Sequence, residues 1–303
     1  MYFNFSWHLY DNCNYNCSYC IQHKVFIHET KSERYERLLK QAPQIKSLID
    51  NLEPEYDQVD ITLIGGEITL LSLNEIKNII SNLITDRIYN ISIVSNLSAS
   101  TEWYIGLADF LSKHNVKLSL TASYHNEMTK IDTFFNKAEI VYNAAKEVNK
   151  NNAVVKWNFK VTTVITKDNK NTFGDLFIKN AIERKIPYRF NYNRKERWSR
   201  DEKYKNLSGK ISKRKWEQVI DTEDIYGYIC SGSIHEVRIL PDGKMRSTVS
   251  SCSNKLCGIL GMTKKITHES LICKKHSCSM CSKIVLKRPD GSIFLSNVPG
   301  VEM

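Results

Sequence analysis

Residues 3–20 read FNFSWHLYDNCNYNCSYC, an alternating segment that runs straight into three cysteines spaced C-x3-C-x2-C. Phe3, Phe5, Trp7 and Leu9 alternate with Asn4, Ser6 and His8, the period-two pattern of a strand with one apolar face. The residues between and before the cysteines, Asp11, Asn12, Asn14, Asn16 and Ser18, are not core formers. Cys13, Cys17 and Cys20 therefore sit on a polar loop at the end of a strand, where thiols act as metal ligands rather than as packing. Two chemistries fit. A zinc site would close with a fourth ligand, and His8, His23 and His28 are near in sequence. A 4Fe-4S cubane would take three thiolates and leave one iron open to another molecule.

The rest of the chain narrows the setting. Nine cysteines in 303 residues is an odd number, and the N-terminus lacks the charged, apolar and small-residue regions of a secretory signal. A disulfide framework is not expected, and a reduced cytoplasmic location is. No run approaches the roughly 18 apolar residues of a membrane span. The net charge of +10 is scattered over the predicted helices, and the densest basic cluster, Arg194 to Lys205, also carries Asp and Glu. Only this charge, with Tyr192 and Trp198 among basic residues, speaks for nucleic acid, which is not the expected partner.

Along the chain two hydrophobic periods trade places. Extended segments are expected at Phe3–Leu9, from Val59, and at Ile88–Ser95, Val116–Ser123, Val154–Thr166 and Tyr188–Tyr192. Helices are expected at Glu33–Leu52, broken or kinked at Pro43, and at Leu73–Ile84, Thr101–Lys113, Thr133–Asn149 and Thr172–Arg184. Six strands separated by helices give a parallel sheet with helical crossovers, as a full or partial barrel or an open doubly wound sheet. The cysteine loop, the GGE of Gly65, Gly66 and Glu67, and Ser95-Asn96 each follow a strand, so they fall on one face. After about residue 205 the pattern changes. A helix-like stretch, Gly209–Thr222, precedes a segment with Cys230, Cys252, Cys257, Cys273, Cys278 and Cys281. A Pro-Asp-Gly turn at Pro241–Gly243 marks a hairpin, and a second PDG near the C-terminus marks another.

The motif C-x3-C-x-aromatic-C, here Cys13, Cys17, Tyr19 and Cys20, resembles the signature of the radical S-adenosylmethionine (SAM) enzymes. The resemblance covers roughly residues 1 to 200. It implies that the three cysteines bind a 4Fe-4S cluster whose open iron takes SAM, and that Gly65, Gly66 and Glu67 contact the SAM amino group. It further implies that Tyr19, Ser95, Asn96 and Ser123 bind cofactor, with His125 in the same polar floor. A cap or turn role is the alternative for Ser95, Asn96 and Ser123. The implied fold is α/β, a partial (β/α)6 TIM-like barrel over residues 1–205 with a smaller cysteine-rich domain over 206–303. The implied activity is reductive cleavage of SAM to a 5'-deoxyadenosyl radical that abstracts hydrogen from a substrate carbon, fed by an electron donor such as flavodoxin or ferredoxin.

The C-terminal cysteines resemble the auxiliary-cluster modules called SPASM and twitch. Thr248 stands where the longer pattern has a cysteine, which favours the one-cluster twitch form. Cys230, Cys252, Cys278 and Cys281 are the expected ligands of a second 4Fe-4S cluster, with Cys273 as substitute for Cys252, and zinc in the same ligands, joined by His276, is the alternative. Cys257 is left over, either as an inert buried thiol or as a hydrogen-atom donor of an epimerase.

Three functions remain open from sequence. The first is modification of a ribosomally synthesised peptide, the common use of such modules. Tyr2 already begins the first strand, so no leader-recognition domain is expected and a partner protein would supply one. The second is dehydrogenation or epimerisation of a small metabolite such as a sugar or aminocyclitol. The third is a non-catalytic iron-sulfur or zinc-binding protein, against which GGE argues, since an electron carrier has no need of SAM.

Overall fold

The alternating N-terminal segment forms β1 (Tyr2–His8), whose apolar side is wholly covered: Phe3, Phe5 and Trp7 are at most 1% exposed. Burying each such aromatic contributes about 2–3 kcal/mol. The computed structural model describes residues 2–20, 29–151, 156–166, 173–192, 229–230, 236–247, 256–264, 266, 271–272, 285–287 and 293–296. Within them follow α1 (Lys31–Asp50), β2 (Gln58–Ile64), a 3-10 turn (Ile68–Leu70), α2 (Leu73–Ser81), β3 (Ile88–Ser95), α3 (Thr101–Lys113), β4 (Lys117–Tyr124), α4 (Ile131–Asn151), β5 (Asn158–Ile165), α5 (Phe173–Glu183) and β6 (Tyr188–Tyr192). Strands β1 to β6 pair in parallel in sequence order. This is the α/β architecture of a partial TIM-like barrel. The expected helix at Gly209–Thr222 and the basic cluster at Arg194–Lys205 lie outside the described residues.

Helix α1 starts with a capping box in which Glu33 N donates to Thr30 Oγ1 and Thr30 N donates to Glu33 Oε2. It runs unbroken through Pro43, so the expected break there is not realised. Leu38, Ala42, Ile45, Leu48 and Ile49 form one buried face, and their packing outweighs the backbone hydrogen bond that the proline lacks. The side chain of Gln41, on the same helix, accepts from Trp7 Nε1 and donates to Pro241 O.

The C-terminal strands are β7 (Ile229–Cys230), β8 (Glu236–Ile239), β9 (Lys244–Ser247), β10 (Leu256–Ile259), β11 (Leu271–Ile272), β12 (Val285–Lys287) and β13 (Ile293–Ser296). The Pro241–Gly243 turn forms as expected. Gly243 N donates to Leu240 O at 2.9 Å, Lys244 N donates to Asp242 Oδ1, and Gly243 takes the positive φ of +78° that closes the hairpin. β12 and β13 pair antiparallel on either side of the second PDG. Strand β8 adds in parallel to the outer edge of β1, and β9 and β10 follow antiparallel, giving the order β10-β9-β8-β1-β2-β3-β4-β5-β6. A second sheet has the order β11-β7-β12-β13.

The side of β1 away from the helices is also enclosed. Asn4, Ser6 and His8 are 4–6% exposed, and their polar groups are paired sideways along the sheet. Ser6 Oγ donates to Glu236 Oε1 at 3.0 Å, Thr62 Oγ1 to Asn4 Oδ1 at 3.2 Å, Asn90 Nδ2 to Asp60 Oδ1 at 2.9 Å and Ser119 Oγ to Asn90 Oδ1 at 2.8 Å. These lateral bonds remove most of the cost of burying polar groups.

Candidate active site at the mouth of the sheet

The cysteine loop leaves β1 and lies against the end of β2. Leu9 N donates to Ile64 O at 2.9 Å, Gly66 N to Tyr10 O at 2.6 Å and Glu67 N to Asn12 O at 2.9 Å. Glycine is required on the β2 side for this approach: a Cβ on Gly65 would run into Tyr10 O, and one on Gly66 into Asn12 O. Gly65 also holds a φ of +138°. The glycines thus serve the contact between loop and strand.

On the loop, Cys13 is exposed, Cys17 buried and Cys20 intermediate, and all three are free thiols. Cys20 N closes a turn onto Cys17 O. Burial raises the Cys13 thiol above its ordinary range and Cys17 to about 11, with smaller upward contributions from Glu67 and Cys20 on Cys13 and from Glu127, Cys13 and Cys20 on Cys17. Three thiols on one short loop, with Cys13 Sγ accepting from Tyr15 N at 3.3 Å and Asn96 Nδ2 at 3.9 Å, fit a cluster that spreads three thiolates over separate irons. Among the described residues no three His, Cys, Asp or Glu side chains converge on a single ion. His8 is held between Asp11 and Arg238, and His23 and His28 lie outside the described residues.

The loop is pinned from the far side by Glu127, in the segment after β4. Its two carboxylate oxygens accept from Ser18 N at 2.7 Å and Ser18 Oγ at 2.6 Å. Glu127→Ala should free this half of the loop, and iron retained after desalting of the reconstituted protein should fall several-fold. Wild-type retention would show that the clamp does not hold the loop.

Glu67 is 2% exposed, and its carboxylate is surrounded by donors. Oε1 accepts from Thr69 N at 3.1 Å, Thr69 Oγ1 at 2.8 Å and Ser95 Oγ at 2.7 Å, while Oε2 accepts from Asn96 N at 2.7 Å. The Tyr10 ring, with the Arg34 guanidinium 4.5 Å from its centre, donates its OH to Glu67 O and Ile68 O. Ser95 Oγ, besides donating to Glu67, lies 2.9 Å from Tyr104 OH and accepts from Leu97 N, so protein groups occupy its hydrogen-bonding capacity. The Asn96 amide donates to Asn14 Oδ1 at 2.9 Å and accepts from Ser98 N at 2.9 Å. Both residues thus tie the end of β3 to the GGE segment and the cysteine loop.

At the end of β4, Ser123 is 8% exposed and pairs in register with Thr162, and its hydroxyl makes no hydrogen bond to a described residue. His125 stacks on Tyr19 with ring centroids 5.9 Å apart, and its Nδ1 lies 2.9 Å from Tyr19 OH. Tyr15 meets the same ring edge-on. Burial lowers the His125 pKa to about 4, partly opposed by Glu127, so the imidazole is neutral near pH 7. Because its folded pKa lies below the ordinary 6.5, the stability it contributes is complete above pH 6.5 and is lost as pH falls towards 4. Allowing for partial solvent screening, this amounts to about 2 kcal/mol. His125→Gln should flatten the pH dependence of unfolding between pH 7 and 4.5 by that amount, and an unchanged slope would contradict the assignment.

Of the C-terminal cysteines, Cys230 lies in β7, in register with Leu271 and Leu286. Cys257 lies in β10, on the edge of the larger sheet at a register shift. Cys252, Cys273, Cys278 and Cys281, with His276, lie outside the described residues. Sequence reasoning did not find Tyr10, Arg34, Tyr104 or Glu127, since each acts through a long-range contact that no local pattern marks.

The match to known proteins agrees with this geometry. The family model of the radical SAM superfamily matches residues 7–177, and the chain belongs to that superfamily. The superfamily implies a 4Fe-4S cluster and SAM, and its members are enzymes. No curated protein matches the chain. Among solved structures, native anSMEcpe with bound AdoMet and Kp18Cys peptide is 16% identical with a TM-score of 0.53, over 86% of this chain and 79% of that one. A histidine-tagged form of anSMEcpe with bound AdoMet is 17% identical with a TM-score of 0.52, over 87% and 79%. Streptococcus suis SuiB bound to S-adenosylmethionine is 14% identical over 82% and 58%, and its TM-score of 0.46 carries no further weight. The likeness to anSMEcpe is one of fold. No helix among the described residues is long and apolar enough to cross a membrane.

Proposed function

We propose that the protein is a cytoplasmic radical SAM enzyme that modifies a ribosomally synthesised peptide. The observation that carries the proposal is the docking of the cysteine loop on the GGE segment through the bonds from Gly66 N to Tyr10 O and from Glu67 N to Asn12 O. That docking sets three thiols beside a backbone turn free of side chains. Cys13, Cys17 and Cys20 would hold the 4Fe-4S cluster. When bound, the cluster and SAM supply an electron and a carbon radical able to take hydrogen from unactivated C–H bonds. The Gly65 and Gly66 backbone would face the SAM amino group, because the Glu67 carboxylate is committed to four protein donors. Tyr19, Ser123 and neutral His125 would line the cofactor floor, while Ser95 and Asn96 hold it from behind. The Asn96 amide and Tyr15 N would donate to a cluster sulfur ligand and favour its reduced state.

Peptide substrate is supported by anSMEcpe, described with both AdoMet and the Kp18Cys peptide bound. We further propose that residues 1–205 form the core domain and 206–303 an auxiliary module. Cys230, Cys252, Cys278 and Cys281, or Cys273 in place of Cys252, would bind a second cluster there, and Cys257 on β10 would be a thiol available to donate hydrogen. Anaerobic reconstitution with iron counting and a dithionite-driven SAM-cleavage assay test the reading. About eight irons per chain and cleavage of SAM are expected, and about four would remove the auxiliary cluster. Zinc at the N-terminal triad, or no cleavage by the iron-loaded protein, would overturn the enzymatic reading. A small metabolite, rather than a peptide, raising SAM consumption would overturn the substrate class.

A further inference from the structure

From the way the C-terminal hairpin extends the sheet, we infer that Arg238, with Arg246 beside it, forms a binding site for a carboxylate group of the substrate on the inner face of the barrel sheet. The inference rests on the enzymatic reading above, in which the inner face of the sheet receives substrate.

Register fixes where these side chains point. Val237 and Ile239 are fully buried with the apolar core, like Phe5 and Trp7 of β1, so Arg238 between them faces the other way, with its register partner Ser6. Arg246 pairs directly with Arg238 across the hairpin and shares that face. His8, two residues along β1 from Ser6, lies about 7 Å nearer the cysteine loop at the rise of a strand. The arginines therefore sit just below the mouth at which the cluster loop begins.

Like charges directly opposite on adjacent strands repel, so the pair of arginines favours an anion between them. Glu236 and Asp11 lie near enough to interact electrostatically with Arg238; Glu236 accepts from Ser6 Oγ, and Asp11 Oδ1 lies 2.8 Å from His8 Nε2. Arg238 makes no ion pair with a described residue. Among the described residues its one hydrogen bond is from Nη2 to His8 Nδ1 at 3.3 Å, and its Nε has no partner there. A guanidinium only donates, so His8 Nδ1 is the acceptor and the ring proton sits on Nε2, facing Asp11. His8 thus steers the guanidinium without neutralising it. A half-buried Arg with most of its donors uncommitted among the described residues matches a planar carboxylate, which it can take in two parallel hydrogen bonds. A peptide presents such a group as an acidic side chain or as its C-terminus.

The test is calorimetric binding to the full, cluster-loaded chain under anaerobic conditions, with N-acetylglycine as the carboxylate probe and N-acetylglycinamide as its neutral counterpart. Wild-type protein should bind the carboxylate at least about tenfold more tightly than the amide. Arg238→Gln should remove that preference, and Arg238→Lys, which keeps the charge without the fork, should restore part of it. Equal affinity for the two probes, or a preference that survives both Arg238→Gln and Arg246→Gln, would overturn the inference. So would displacement of the probe by saturating SAM, which would assign the site to the cofactor's own carboxylate. If Arg238→Gln does not fold, the wild-type preference and Arg246→Gln decide alone. Because binding is read without turnover, a protein that cleaves SAM but ignores the carboxylate refutes this site only, whereas one that fails to cleave SAM refutes the enzymatic reading.

Discussion

Gly66→Ala is expected to undock the cysteine loop. The added Cβ would overlap Asn12 O and Asn12 C, and both are backbone atoms that no rotamer change can move aside. Either the loop shifts away from β2 or the β2 end distorts, and the bonds from Gly66 N to Tyr10 O and from Glu67 N to Asn12 O are lost together. Overpacking and the two lost bonds cost about 3 kcal/mol or more. Iron bound by the N-terminal triad should fall at least tenfold in anaerobic reconstitution, alongside a lower unfolding midpoint. Wild-type loading would mean that the loop does not depend on this contact.

Glu67→Ala is expected to be as damaging for a different reason. It removes the acceptor of Thr69 N, Thr69 Oγ1, Ser95 Oγ and Asn96 N at once, inside a site where Ser95 is 1% and Asn96 5% exposed. Unsatisfied buried donors at this density cost about 3–5 kcal/mol, a fall in melting temperature of roughly 10 °C. Glu67→Gln separates hydrogen bonding from mere size. Its remaining oxygen can serve the three donors now on Oε1, while its NH2 would face Asn96 N, donor against donor. The glutamine variant should therefore lose about 1–3 kcal/mol, less than alanine. Equal losses for the two would show that the network is not what stabilises the site.

The periodicity of the sequence carried the architecture a long way. Expected and observed bounds of β3 and α3 coincide, and those of β1, β2 and β4 differ by a residue or two. Helix α2 ends at Ser81 rather than Ile84 because Asn82 caps it, while Leu83 and Ile84 continue the apolar run from a turn bonded back to Ile80 O. What alternation could not reveal is that the polar face of β1 is also buried. Asn4, Ser6 and His8 alternate with the apolar residues, yet they are buried beside the strand β8, more than 200 residues away in sequence. The site shows the same limit. Cys13, Cys17, Cys20 and the GGE segment were legible as motifs, whereas the reason for the glycines is the neighbouring loop backbone. Besides the nearby Thr69, the partners of the Glu67 carboxylate lie 28 and 29 residues further along and could be found only in three dimensions.

The most direct measurement of the central claim is the electron paramagnetic resonance spectrum of the dithionite-reduced protein with and without SAM, in wild type and in Cys17→Ala. A cluster held by only three thiolates should change its spectrum when SAM binds the open iron, and that SAM-responsive signal should be absent in the variant. A wild-type spectrum indifferent to SAM, or a SAM-responsive signal that survives loss of Cys17, would contradict it.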